Sequence, residues 1–159
     1  MNEQLKEAVA LRQKEEALLC FPKFSNEDAL TLGLKIIEIA KEWGVAVALD
    51  IEVNGVQLFH YNMPGSNKRH CMWVRRKQNM VQTSQISTLH AGQLLELEGK
   101  DVLLNWRLDP NDYATLGGGF PMTVAGTGII GSVACSGLPH EQDHKLLVTA
   151  ISSVLGIKL

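Results

Sequence analysis

Asn54-Gly55 separates two runs rich in β-branched and aromatic residues, Val45-Ala46-Val47-Ala48-Leu49-Asp50-Ile51-Glu52-Val53 and Val56-Gln57-Leu58-Phe59-His60-Tyr61. Asn-Gly between such runs predicts a type I′ hairpin, because both central positions of that turn need positive φ. A hairpin is not stable alone, so the rest of the chain has to supply further strands and helices to cover it.

The flanking sequence offers both. Leu5, Ala8, Val9, Leu11 and Leu18 recur mostly at three-to-four spacing between Glu3 and Leu19, predicting an amphipathic helix that Pro22 prevents from continuing. Ser25 with Asp28 three residues on predicts a capped helix through Leu30, Leu34, Ile37, Ile39 and Ala40, stopping at Trp43-Gly44. Beyond the hairpin, Ser66-Asn67 predicts the cap of a helix running to about Val81, and Thr83-Ser84 the cap of another ending near Leu97, with Gly99 as its stop. Asp109-Pro110-Asn111-Asp112 reads as a turn or a single capped helical turn.

Gly117-Gly118-Gly119 then leads into a strand, Phe120 to Ala125, and Gly126-Thr127-Gly128 turns the chain into a second, Ile129 to Cys135. After Ser136-Gly137-Leu138, Pro139 suits the first position of a last helix, with Leu146, Leu147, Ala150, Ile151, Val154 and Leu155 as its buried stripe. Helices, hairpin, helices, hairpin, helix is the order of an α+β fold with an antiparallel sheet.

With 159 residues, 45% of them apolar and 20% charged, the chain suits one soluble domain with its own core. No run approaches the ~20 apolar residues that cross a bilayer, and the polar, acidic start Met1-Asn2-Glu3-Gln4-Leu5-Lys6-Glu7 does not resemble a signal peptide, so the expectation is a cytoplasmic protein with no membrane partner. Cys20, Cys71 and Cys135 are odd in number, far apart and free of Cys-x-x-Cys, and they read as reduced thiols. The net charge of −2 hides an asymmetry. Residues 53–95 contain no acid and carry Lys68, Arg69, Arg75, Arg76 and Lys77, while both flanking segments are acidic. This basic cluster is too short for nucleic acid and lacks a ribonucleoprotein aromatic motif.

Two sharp-looking motifs lose their meaning in context. Gly126-Thr127-Gly128-Ile129-Ile130-Gly131 matches a dinucleotide fingerprint, but a β-branched run follows where the phosphate-binding helix should start. His140-Glu141-Gln142-Asp143-His144 matches a zinc-protease helix, but Pro139 puts His140 in the first turn and no downstream ligand follows. No metal is therefore expected, with His140 and His144 the only weak candidates. Cys135 before a helix start has the placing of a nucleophile, yet strand alternation sets it with Ile129 and Val133 on a core face. Arg69, Trp73, Arg76 and Met80 fall near one helical face, and paired guanidinium groups beside an aromatic suit a flat anionic ligand.

Gly118-Gly119-Phe120-Pro121-Met122, the glycine turn at 126–131, and Val133-x-x-Ser136-Gly137-Leu138-Pro139 followed by Asp143-His144 resemble the signature of the haem-degrading-domain superfamily typified by GlcG and HbpS. Trp73-Val74-Arg75-Arg76-Lys77-Gln78-Asn79 is similar to its stand-alone, uncharacterised cytosolic branch. The likeness runs over 1–159 as one domain and is weakest over 1–20, the N-terminal helix. It implies a profilin-like or PAS-like α+β domain, with an antiparallel sheet of about five strands flanked by helices. It also implies homo-oligomers, from a dimer to an octamer or decamer, and haem as a ligand of some relatives. Leu116 stands where many relatives have His before the glycines, so a role of that His does not transfer.

The expectation is a homo-oligomer binding a small anionic ligand, haem among the options. Its ligand residues are taken as Arg75, Arg76, Trp73, Gly117, Gly118, Gly119, Phe120, Ser136 and Gly137. His70, His90 and His144 are the candidates for ligating an iron. The alternatives are an enzyme using His144 as acid or base beside Asp143 or Glu141, and an oligomer with a purely structural or interaction role.

Overall fold

The computed structural model describes residues 2–159. In chain order the elements are α1 (Asn2–Leu18), β1 (Cys20–Phe21), α2 (Asn26–Glu42), β2 (Ala48–Val53), β3 (Val56–Asn62), α3 (Lys68–Ser84), α4 (Thr88–Glu98), β4 (Gly119–Val124), β5 (Gly128–Ser136) and α5 (His140–Leu155). Asn54 and Gly55 take φ of 50° and 79°, so the hairpin between β2 and β3 turns as its dipeptide dictates. The sheet has five strands in the order β1-β4-β5-β2-β3. It is antiparallel except at one edge, where β1 pairs parallel to β4 through Cys20 and Phe21. That two-residue strand is too short to leave a period in the sequence.

Alternation along β2 and β5 splits the sheet into two faces. Leu49, Ile51, Phe120, Met122, Val133 and Cys135 face Leu32 and Ile36 of α2 and Leu146, Leu147 and Ile151 of α5, forming the main core. Ala48 and Ala134 face the other way, against Val74 and Cys71 of α3. The small alanines let α3 lie close to the sheet, which brings its polar side chains within reach of β5 and α5.

Capping decided most helix starts. Ser25 and Asp28 form the expected capping box, and Asn67 forms one with His70 at the head of α3. The expected cap of α4 is corrected: Thr83 and Ser84 lie inside the last turn of α3, where the Ser84 hydroxyl donates to the Met80 carbonyl at 2.8 Å. Gln85 in the left-handed region ends α3, and Ser87 caps α4 by accepting from the His90 N–H. Pro139, expected at the first helical position, is instead the residue before it, extended at ψ 137°, so α5 begins at His140. The glycine motif at 126–131 spans the tight turn after β4 and the start of β5, with no helix following, which removes the dinucleotide reading.

The N-terminal helix forms, but buries only part of the predicted stripe. Leu11 and Leu18 are exposed, while Val9 and the carboxylate-bearing Glu15 are buried. Polar pairs hold it: Glu15 Oε2 lies 2.8 Å from His144 Nε2, Glu16 Oε2 lies 3.0 Å from His90 Nδ1, and Arg12 Nε lies 3.1 Å from Glu15. No helix among the described residues is long and apolar enough to cross a membrane.

Candidate functional site

A cleft of about 310 Å³ opens between the first half of α3 and the turn that enters α5. Its floor is an ion pair. Lys77 Nζ donates to Asp143 Oδ2 at 3.0 Å and to the Cys135 carbonyl at 2.8 Å, with both side chains almost wholly shielded from solvent. Burial pushes the Asp143 carboxyl up, against the opposing pull of the Lys77 ammonium and of the Leu138 and Gly137 N–H groups.

The three glycines make room for this floor. Gly118 has φ +118°, and a Cβ there would lie 2.6 Å from both Lys77 Nζ and the Cys135 carbonyl oxygen. A Cβ on Gly117 would come 2.5 Å from the His140 carbonyl oxygen, and one on Gly119 would come 2.8 Å from Thr88 Cγ2. Gly119 N–H also donates to Thr88 Oγ1 at 2.9 Å. Close approach is thus required here, and the approaching groups are the protein's own.

The walls carry donors. Arg69, His70 and Trp73 project from α3 at helical spacing, facing Ser136, Gly137, Leu138 and His140, with Leu116 at the side. Both imidazoles are oriented by backbone. His70 Nδ1 accepts from the Asn67 N–H at 3.0 Å, and His140 Nδ1 accepts from the Gly117 N–H at 3.1 Å. A neutral imidazole that accepts at one nitrogen carries its hydrogen on the other, so each ring offers Nε2–H to whatever enters.

The residues grouped by sequence divide between two places. Trp73, Ser136 and Gly137 line this cleft, with Gly117–Gly119 behind it. Arg75 and Arg76 line a second, larger cleft of about 730 Å³ between α3 and the β2–β3 end of the sheet. Arg76 is committed structurally: its guanidinium stacks 3.9 Å from the Trp73 ring centre and donates to the Pro110 carbonyl at 2.6 Å. With Asn79, which donates to the Asp112 carbonyl at 2.9 Å, it ties the loop before β4 to α3. The two arginines and the glycine loop, expected together, thus border different clefts. Phe120 lies in the main core, its ring centre 6.0 Å from that of His144.

His144 and Asp143 are corrected as a pair as well. Neighbours on a helix point about 100° apart, so Asp143 turns to Lys77 while His144 turns to Glu15 of α1. His90 is likewise buried against Glu16. His140 and His144 share no ligand geometry, and among the described residues no three His, Cys, Asp or Glu side chains converge as a metal set. Cys135 is fully enclosed on the core face, and burial holds its thiol well above the ordinary value.

Lys77 is the residue that sequence reasoning passed over. Its signal was its position four residues beyond Trp73 and eight beyond Arg69, inside the acid-free segment. Its burial depends on Asp143, 66 residues away.

The fold defines an α+β domain with a mostly antiparallel five-stranded sheet, and comparison with known proteins gives the family. The model of the haem degrading protein HbpS-like family matches residues 24–152, and the chain belongs to that family. Among its relatives is a UPF0303 protein of Streptomyces coelicolor, 40% identical over 148 residues, covering 93% of this chain and 94% of the relative. Solved structures with the same fold include Ybr137w, with TM-score 0.86 at 24% identity over 93% of this chain and 87% of that one. Another is the PduOC:haem complex, with TM-score 0.71 at 23% identity over 82% of this chain and 94% of that one.

Proposed function

We propose that the chain binds a small planar ligand bearing carboxylates, the class to which haem belongs, with the carboxylate end in the cleft between α3 and α5. The observation that carries this reading is the donor set: the Arg69 guanidinium and the Nε2–H groups left free when His70 and His140 accept from backbone at Nδ1. Charge-assisted hydrogen bonds from such groups are the strong ones for carboxylates. Trp73 supplies a flat apolar wall, with Ser136 and Gly137 opposite. The family and the haem complex of a structural relative support haem as one such ligand.

The cleft fits the carboxylates of a haem and does not fit its iron. A ligating imidazole gives the lone pair of one nitrogen and donates N–H from the other. Ligation through Nε2 would need a hydrogen on Nδ1, where the Asn67 and Gly117 N–H groups already point. At about 310 Å³ the cleft lies at the small end of ligand pockets, roughly 300–1,000 Å³, and suits an edge of a large ring. The enzyme alternative built on His144 gains no support, since that imidazole faces Glu15.

The same reading takes the chain as a cytoplasmic homo-oligomer. Leu30 and Leu34 on α2, Val56 and Tyr61 on β3, and Leu103 and Leu104 in the loop after α4 are all exposed, and subunit contacts are a natural use for them. Native mass spectrometry checks this directly, with a multiple of the 17.5 kDa chain expected and a monomer contradicting it.

Titration with ferric haem, followed by absorbance and tryptophan quenching, tests the site. Micromolar binding is expected, weakened about tenfold or more in Arg69→Ala by loss of a charge-assisted bond and changed less than about twofold in Arg75→Ala. Equal loss in both variants, or no binding at all, would overturn it.

A further inference from the structure

We propose that His60, Asn62 and Ser66 form a proton-operated switch at the second cleft, in which loss of one imidazole hydrogen turns the Asn62 amide over and reverses the hydrogen bonding of Cys71. His60 stands on β3 with its side chain 37% exposed and lining that cleft. Both its ring nitrogens meet oxygens: Nδ1 lies 2.9 Å from Asp50 Oδ2, and Nε2 lies 2.8 Å from Asn62 Oδ1. A carboxylate and an amide oxygen only accept, so a ring held between them carries hydrogen on both nitrogens and is a cation.

Asn62 is an acceptor here because its neighbours set its orientation. Its Nδ2 donates to Ser66 Oγ at 3.1 Å, and Ser66 Oγ donates in turn to the Met63 carbonyl at 2.7 Å. Cys71 Sγ donates to the same Asn62 Oδ1 at 3.2 Å. On the other side of the ring, the buried Asp50 side chain is fixed by the side-chain amides of Gln57 and Gln78.

When the ring gives a proton to solvent, the hydrogen that leaves is the one on Nε2, because Nδ1 faces the charged acceptor. The bare Nε2 then faces the Asn62 oxygen, lone pair against lone pair. A half-turn of the carboxamide removes the conflict, since its nitrogen and oxygen have nearly the same size and exchange places. Nδ2 then donates to His60 Nε2, Oδ1 faces Ser66 Oγ, and the Ser66 hydroxyl swings from the Met63 carbonyl to that oxygen. The Met63 carbonyl keeps the Ser66 N–H at 2.9 Å and is not orphaned. Cys71 changes role, because its sulfur now meets an N–H and its own hydrogen turns to the open cleft.

The charges around the ring leave Asn62 as the group that responds. β2 contributes Asp50 and Glu52, α3 contributes Lys68, Arg75 and Arg76, and the loop before β4 contributes Asp112. Arg76 is held by Trp73 and Pro110, and Glu52 accepts from Gln82 at 2.9 Å. On the opposite face of β3, α2 presents Gly33 to the Phe59 ring and no charge to His60. Ser66 directly precedes Asn67, the cap of α3, so the state of His60 reaches the start of the helix that walls both clefts.

Nuclear magnetic resonance of the isotope-labelled full chain across the titration of His60 tests this. Both ring nitrogens are expected to carry hydrogen at the acid end. The Asn62 side-chain amide signals are expected to move with the same midpoint as the ring, and a scalar coupling between Asn62 Nδ2 and His60 Nε2 to appear only above it. Asn62→Asp, which accepts and cannot become a donor, is expected to keep both hydrogens on His60 to higher pH and to show no coupling. Asn62 signals that stay still while His60 titrates, or a His60 midpoint unchanged in Asn62→Asp, would overturn the proposal.

Discussion

Lys77 of α3 and Asp143 of α5 are paired 3.0 Å apart beneath the α3–α5 cleft, with side-chain exposures of 3% and 2%. A charge buried this far is tolerable only with its partner, so Lys77→Met or Asp143→Leu alone is expected to cost about 3–5 kcal/mol in urea unfolding. The Lys77→Met/Asp143→Leu double variant is expected to recover most of that loss. A double variant as unstable as the sum of the singles would show that the two are not coupled.

Gly118 follows from the same pair. Gly118→Ala is expected to cost at least about 3 kcal/mol, since φ is +118° and the new Cβ would press on Lys77 Nζ and the Cys135 carbonyl. Gly126→Ala has φ +78° with open space around it, and only the backbone cost of about 1 kcal/mol is expected. Thermal unfolding of both variants gives the comparison, and equal costs would contradict it.

The N-terminal helix depends on Glu15 and Glu16 for its attachment. Glu15→Gln/Glu16→Gln is expected to weaken the pairs with His144 and His90, by about 1–3 kcal/mol each. Hydrogen exchange should then quicken across α1 while the β4–β5 core keeps its protection. Unchanged protection of α1 would mean that Val9 and its neighbours hold the helix without these pairs.

Cys135 sets a pH dependence. Its folded thiol titrates well above the ordinary 9.0, because burial penalises the thiolate. Above pH 9 the unfolded chain therefore loses this proton while the folded chain keeps it, so stability falls as pH rises, by up to about 1.4 kcal/mol per pH unit. Cys135→Ala is expected to remove that fall. A pH profile from 8 to 10.5 with identical slopes for both proteins would contradict the burial argument.

Local signals carried the reading of the fold. The Asn54-Gly55 turn, the Ser25 and Asn67 caps and the Gly99 stop each depend on residues within four positions of one another, and each stands where expected. The acid-free segment likewise fell on α3, which walls both clefts. What sequence could not provide was direction: Arg75 and Trp73 sit two positions apart on one helix yet serve different clefts. The three glycines showed that something comes close, but not that it is Lys77, Thr88 and the His140 carbonyl. Glu15 with His144, and Lys77 with Asp143, join residues 129 and 66 positions apart, and only the folded chain brings them together.

The central claim is that His70 and His140 meet a ligand as N–H donors. Comparing ferric haem with iron-free protoporphyrin by tryptophan quenching tests it most directly. Affinities within about threefold of each other are expected, with both ligands weakened alike in Arg69→Ala, because the contacts are to carboxylates that the two rings share. Haem binding about a hundredfold tighter than the iron-free ring, with an iron–imidazole spectrum that disappears in His70→Ala or His140→Ala, would contradict it.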